Sequence, residues 1–459
     1  IGAYVEVIRE QRRQRIMQRK YPEQYAKSFQ IFIKALEYIE KKLGETVLIQ
    51  MVEKKIAGHK LGEREIYREI FEPLIKPNFM YTRLMAEPPL RGEEIDSYGI
   101  GEKIPVTIYK LPRKVTYLYH VMPPELQLAE EEYALLDEAR NVLVKYKPKA
   151  SEFVDPSRMR EVFWLIARDL IEELARAADL KLEYKTIKKL AKILVRLTIG
   201  FGLTEVLLLD KKIEDIYINA PIGKTQIIIK HSEYGECLTN ITPNIRDAEA
   251  WASRFRMLSG RALDEANPVL DTELDLPGIA RARVAIIQEP LSPGGLSYAF
   301  RRHREKPWTF PLFIKYKTMS PIAAGVLSFL VDGRRTMLIA GTRGTGKTSL
   351  LESTMLEVLR KYRIITVEDT LELNTPHMSR LGFDVIPLKV RSALALTKSG
   401  EMSAEQGIRT TLRLGDSSLI VGEVRSSEAK TLYEAMRVGA MANLVAGTIH
   451  ADSPYGIFD

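Results

Sequence analysis

The amino-acid sequence predicts an α/β protein whose last third is a parallel sheet wound with helices, preceded by an α+β region and a mainly helical extension. Three observations carry the prediction. From Ser320 onward, helical periodicity alternates with short and almost wholly apolar runs, as strands buried on both faces require. Residues 336–340 form such a run and lead into Gly341-Thr342-Arg343-Gly344-Thr345-Gly346-Lys347-Thr348, after which residues 349–359 read as a helix. Further apolar runs end in Glu368, Glu423 and His450.

The N-terminal elements come first. Residues 1–44 read as helical, with Phe32, Ala35, Leu36, Ile39 and Leu43 on one face. Eight Lys and Arg within residues 1–34 suit a solvated helix face, or a docking arm for a partner or membrane surface. A second helix is expected near 60–74. Pro and Gly crowd residues 87–112, which read as an irregular connection. Alternation at 106–109 and 115–119 predicts strands, and helical periodicity returns at 131–145 and 162–197. Short strands are expected at 205–209, 215–219 and 226–230, then a helix at 246–259 and strands at 281–288 and 295–301. Residues 301–307, polar and ended by Pro307, read as a linker. The expected domains are an extension at 1–103, an α+β domain at 104–303, a linker at 304–316 and an α/β domain at 317–459.

A chain of 459 residues has room for two or three domains. Its 45% hydrophobic and 28% charged residues suit a globular chain with an ample core. A net charge of +8 leans weakly toward phosphates, nucleic acid or an anionic membrane surface. The lone cysteine, Cys237, excludes an intramolecular disulfide and suits a reducing interior. No apolar run nears the roughly 20 residues that span a bilayer. Residues 1–20 are charged and show no secretory signal, and Ile1 in place of Met predicts a trimmed chain. Abundant Lys, Arg and Glu would suit a thermophile.

The C-terminal motifs carry chemistry. Glycines in 341–346 let main-chain N–H groups turn onto phosphate oxygens, and the following helix adds its positive end. Lys347 would reach the β- and γ-phosphates, and the Thr348 hydroxyl would ligate Mg²⁺ beside Ser349. A carboxylate at a strand's carboxyl end lies on the ligand side of a parallel sheet. Glu368 is therefore expected to activate water, with Asp369 and Glu372 nearby. Glu423, at the end of Ser418-Leu419-Ile420-Val421-Gly422-Glu423, would bind Mg²⁺ or orient the nucleophile. His450 closes another strand, where a γ-phosphate or subunit sensor stands against an ordinary structural histidine.

These elements, in this order, resemble the secretion ATPase superfamily of type II and type IV secretion systems. The family's Walker A, Asp box, Walker B and His box match 341–348, 365–373, 418–425 and 447–450. Glu214-Asp215-Ile216-Tyr217-Ile218-Asn219, Asn267-Pro268-Val269-Leu270-Asp271 and Arg281-Ala282-Arg283-Val284 resemble the family's smaller domain. The extension, with Pro123-Pro124-Glu125-Leu126, looks most like the archaeal branch serving pili, secretion or the archaellum.

The resemblance implies a RecA-like P-loop domain behind a PAS-like α+β domain, with ATP and Mg²⁺ as ligands. It implies a homo-hexamer working from the cytoplasmic side on a polytopic membrane platform protein, without nucleic acid. Arginines borrowed from the smaller domain would aid catalysis, the candidates being Arg283, Arg301 and Arg302. Two departures stand out. Gly415-Asp416-Ser417-Ser418 replaces the family's acidic residue and proline, and the family continues past His450 with a further helical segment, so an end is expected to be missing. The rival readings are a nucleic-acid motor, against which no basic–aromatic stretch for stacking single strands is seen, and a nucleotide-gated scaffold without turnover.

Overall fold

The structure, a computed structural model, describes residues 2–18, 25–52, 74–75, 80–89, 92–112, 114–145, 156–391, 402–425, 428–438, 444–453 and 455–457. Helices α1 (Gly2–Gln18) and α2 (Ala26–Gly44) form an antiparallel hairpin. Gln11 meets Glu40, Arg15 meets Glu37, and Val5, Ile33 and Leu36 are buried. The helical reading of 1–44 thus resolves into two helices, followed by α3 (Val47–Val52). The helix expected at 60–74 falls on residues outside those described, apart from Leu74, which opens β1 (Leu74–Ile75) beside β2 (Arg83–Met85).

The connection expected at 87–112 is instead a hairpin of β3 (Glu93–Ile100) and β4 (Ile104–Lys110), followed by β5 (Tyr117–Val121). Its Gly and Pro occupy positions that a hairpin uses. Gly101, at φ +51°, makes the turn, and Pro105 stands near the start of its strand, beyond the pairing with β5. A boundary at residue 103 would cut this hairpin.

Next come α4 (Glu130–Lys145), α5 (Pro156–Ala177) and α6 (Tyr184–Thr198). The continuous helix expected over 162–197 breaks after Ala177, where Asp179 takes φ +54° and Leu180 N–H donates back to the Ala175 carbonyl. Neither Gly nor Pro marks the break. Residues 205–209 are not a strand, because α7 (Leu203–Leu208) is helical and buried throughout. A short apolar run without polar gaps has no period from which helix and strand can be told apart.

Strands β6 (Ile213–Ile218), β7 (Ile228–His231), β8 (Gly235–Thr239) and β9 (Ile241–Thr242) precede α8 (Ile245–Ser259), whose first turn is capped by the Asn244 side chain. Strands β10 (Val269–Leu276), β11 (Ala280–Ile287) and β12 (Ser297–Arg302) follow. Among the described residues they complete a nine-stranded sheet, β10-β11-β12-β6-β7-β8-β5-β4-β3, antiparallel except where β5 meets β8. The last three strands alternate strictly. Leu270, Leu274, Ala282, Val284, Tyr298 and Phe300 face a large core, while Asp271, Glu273, Arg281, Arg283 and Arg301 share the other face.

The stretch expected as a linker starts in β12, since Arg301 and Arg302 are its last residues, and contains α9 (Phe310–Lys315). After α10 (Pro321–Asp332), strand β13 (Met337–Gly341) runs into α11 (Lys347–Glu357). Strand β14 (Ile364–Glu368), α12 (Thr375–Arg380), β15 (Val385–Lys389), α13 (Ala404–Thr411), β16 (Ser418–Val424), α14 (Glu428–Val438) and β17 (Val445–His450) complete the order. Their five strands are all parallel, in the order β13-β17-β16-β14-β15. Each face has its own core: Ile364 and Ile420 pack with Leu351 and Met355 of α11, whereas Leu419 and Val421 pack with Ile408 of α13 and Leu432 of α14. In this parallel register, residues 341, 450, 423 and 368 come to one edge. The charged face of β10–β12 meets that edge.

Candidate active site

The glycine loop is shaped by its backbone. Gly344 and Gly346 take φ +81° and +89°, which a side chain resists, and Gly346 is the N-cap residue of α11. A Cβ on Gly341 would lie 2.6 Å from Thr345 Oγ1, the hydroxyl that donates to the Thr342 carbonyl at 2.9 Å. Thr342, Arg343, Gly344, Thr345 and Gly346 are exposed, while Lys347, Thr348 and Ser349 sit half-buried at the helix start. Orphan N–H groups and the helix dipole make such a start an anion site.

From Lys347 a chain of polar contacts crosses the strand ends. Its ammonium donates to the Thr342 carbonyl at 3.0 Å and lies 3.3 Å from His450 Nδ1. With its proton on Nε2, the imidazole accepts from Lys347 and donates to Glu423 Oε1 at 2.7 Å. Arg425 grips Glu423 Oε2, with Nε at 2.8 Å, and reaches Asp369 Oδ2 at 2.6 Å. A break in register between Val421 and Val424 turns Glu423 into this row. Burial acts to raise the Glu423 carboxyl, yet Arg425, His450 and Lys347 hold it below the usual carboxylate range. It is therefore anionic at neutral pH. His450, expected as a sensor or a structural residue, joins the lysine to the acid.

Glu368 lies elsewhere. It is 3% exposed, and its Oε1 accepts the N–H groups of Glu372 and Leu373, both at 2.9 Å. Burial pushes its carboxyl up to about 8 despite those bonds. Gly422 covers it so closely that a Cβ there would come 2.9 Å from Glu368 Cγ. These contacts make Glu368 the organiser of the turn after β14. The carboxylate that shares the field of Glu423, Asp369, Arg283 and Arg301 is Glu372, raised by burial against the pull of both arginines.

The candidate arginines divide. Arg283 and Arg301 are cross-strand partners in register, so they stand side by side. Arg283 forks onto Asp271 and lies 3.7 Å from Glu372, while Arg301 pairs with Asp215 at 2.9 Å. Arg302 faces the other way, because successive strand residues alternate. Its guanidinium donates to the Leu208 carbonyl at 3.0 Å and to Glu305 at 3.1 Å, and it takes no place in the row.

Several residues here were not singled out as candidates from sequence. Arg425 lies two residues after Glu423, just past the end of β16. Asp271 and Glu273 alternate with leucines. Glu352, one turn into α11, accepts the Asn374 N–H at 2.8 Å and is raised by burial to about 7. No local pattern distinguishes it from an exposed helical glutamate.

For a magnesium ion, the donors that fit are hard oxygens, the Thr348 hydroxyl and the anionic Glu423 carboxylate, a sparse set of the kind that magnesium takes alongside phosphates. Among the described residues no cluster of three or more His, Cys, Asp or Glu forms an all-protein cage.

A glycine loop feeding a helix, with lysine, histidine and acids lined along the carboxyl edge of a parallel sheet, is an arrangement suited to holding an anion such as phosphate. The family model described as "Type II/IV secretion system protein" matches residues 192–458, more than half of the chain, and the chain belongs to that family. An uncharacterized protein of Methanocaldococcus jannaschii is 26% identical over 401 residues, covering 85% of this chain and 52% of that protein. Protein VirB11 of Agrobacterium fabrum is 31% identical over 124 residues, 27% of this chain and 33% of that one. The chain spans about half the length of the curated relatives it matches. Among solved structures, the Legionella pneumophila ATPase DotB is matched at a TM-score of 0.37 and 18% identity, over 55% of this chain and 65% of that one. No helix of the described residues is long and apolar enough to cross a membrane.

Proposed function

We propose that this chain is a P-loop ATPase whose C-terminal domain is RecA-like and follows a PAS-like α+β domain. It works as a homo-hexameric ring at the cytoplasmic face of a membrane, powering secretion or assembly of pilus- or archaellum-like filaments through a polytopic platform protein. The single observation that carries the chemistry is the continuous row Lys347–His450–Glu423–Arg425–Asp369 beside the glycine loop. Family membership supports the transport role.

Main-chain amides of 342–348 cradle the phosphates, and Lys347 exchanges its bond to the Thr342 carbonyl for phosphate oxygens. Thr348 and Glu423 would hold magnesium, which supplies charge neutralisation on the β- and γ-oxygens when bound. His450 passes a change at Lys347 to Glu423. Arg283 and Arg301 stabilise charge growing on the transferring group. Glu372, half-buried and raised, takes the water-activating role that the sequence suggests for Glu368.

Phosphate release tests the assignment. Lys347→Ala should abolish nucleotide binding or turnover. Glu372→Gln should bind ATP but hydrolyse it about 10²- to 10⁴-fold more slowly, as loss of a general base does, while Glu368→Gln keeps most of its activity. The reverse ranking would return the base to Glu368. Turnover stimulated by DNA and lost with rising salt would favour the nucleic-acid motor instead.

A further inference from the structure

The turn that carries Glu372 is held by a complete set of carboxylate acceptors, one of which comes from the other sheet. Four consecutive main-chain N–H groups, from Leu371 to Asn374, lack strand or helix partners there, and buried amides demand acceptors. Glu368 takes those of Glu372 and Leu373, and Glu352 takes that of Asn374. Both acids belong to the parallel-sheet unit. The Leu371 N–H donates instead to Glu273 of β10, at 3.0 Å. The Leu371 carbonyl also leaves its own unit, accepting from Arg281 of β11 at 3.3 Å. Both polar groups of the peptide residue before Glu372 are thus satisfied by side chains of the N-terminal sheet.

We propose that Glu273 and Arg281 are positioning residues that make the placement of Glu372 depend on how the two sheets meet. The inference rests on the reading of Glu372 as the water-activating base. Its logic is local. If the sheets part, the acceptors for the Glu372, Leu373 and Asn374 amides stay in place, while the Leu371 amide and carbonyl lose theirs. The adjoining side chain of Glu372 also loses Arg283, 3.7 Å away. Nucleotide gripped by the glycine loop stays bound, while the base drifts from its working position. Misplacement of a catalytic group by about 1 Å can cost on the order of 10²-fold in rate. Glu273 also accepts from Lys389 at 2.9 Å, so the two bonds must be separated experimentally.

The experiment uses the full chain with magnesium and ATP, measuring kcat, KM and the affinity of a fluorescent ATP analogue. Glu273→Ala should lower kcat about tenfold or more while nucleotide affinity changes less than about twofold. Glu273→Gln keeps an oxygen acceptor for Leu371 and should retain kcat within about twofold. Lys389→Met, which spares the Leu371 bond, should retain kcat as well. Hydrogen exchange supplies a readout independent of turnover: Glu273→Ala should speed exchange at the Leu371 amide about tenfold. An alanine variant with native kcat, or alanine and glutamine variants equally impaired, would overturn the proposal. If the native chain hydrolyses no ATP, the ATPase reading fails, and unchanged exchange at Leu371 would then defeat the clamp separately.

Discussion

At the scale of single residues, Glu368 and Glu423 show how burial and partners push one kind of carboxyl in opposite directions. Glu423 sits beside Arg425, His450 and Lys347 and stays ionised, whereas Glu368 sits under Gly422 and rises to about 8. The consequence for stability has a definite sign. In the unfolded chain Glu368 titrates near 4.5, so between 4.5 and about 8 the folded state holds a proton that unfolding releases. That contribution is complete below 4.5 and is lost as pH rises through the folded value. Glu352, at about 7, adds to the same slope. The melting temperature should therefore fall as pH is raised from about 5 to about 8, and Glu368→Gln should flatten the fall. The amide keeps an oxygen for the two N–H groups and turns its NH₂ toward Thr366 Oγ1. A parallel pH profile in the variant would mean that Glu368 is ionised in the fold.

At the scale of elements, β16 joins two demands in adjacent residues. Gly422 must leave room for Glu368, and Glu423 must swing into the polar row. Gly422→Ala should cost about 1–3 kcal/mol by overpacking, read as a lowered denaturation midpoint at unchanged m-value. A neutral outcome would show that Glu368 shifts freely. The sequence made β13, β14, β16 and β17 legible because each is an apolar run delivering a chemically distinct residue. Strand β15 escaped notice because Pro387 interrupts it and it lies at the sheet edge, where a missing N–H is tolerated. Strand β4 was visible in the alternation at 106–109, but its hairpin partner β3 was hidden by Gly99, Gly101 and Pro105, which are turn-forming residues read without their register. Of the site, the loop, Glu423 and His450 were visible. The burial of Glu368 under Gly422, with Glu372 left the more open of the two, was not, since a spacing of four beyond a strand end does not say which carboxylate is buried.

At the scale of the whole molecule, two separately cored units meet across a seam bridged by charged side chains. Glu273, Arg281 and Arg283 reach to Leu371, Glu372 and Lys389, and the cores on either side share no residues. Seams of this polarity leave relative movement as the default. Calorimetry should resolve two transitions, and a non-hydrolysable ATP analogue should raise chiefly that of the parallel-sheet unit. At a hundred times its Kd the gain would be about 2.7 kcal/mol. One transition, shifted as a whole, would indicate units that unfold together.

The turn from Leu371 to Asn374 pairs each successive amide proton with a glutamate oxygen, three oxygens from three different elements, the middle two amides sharing Glu368 Oε1. Such a segment is fixed in length more strictly than in composition. Exchanging the Leu371 side chain leaves every pairing intact, but inserting or deleting one residue shifts each donor away from its oxygen and carries Glu372 off with them.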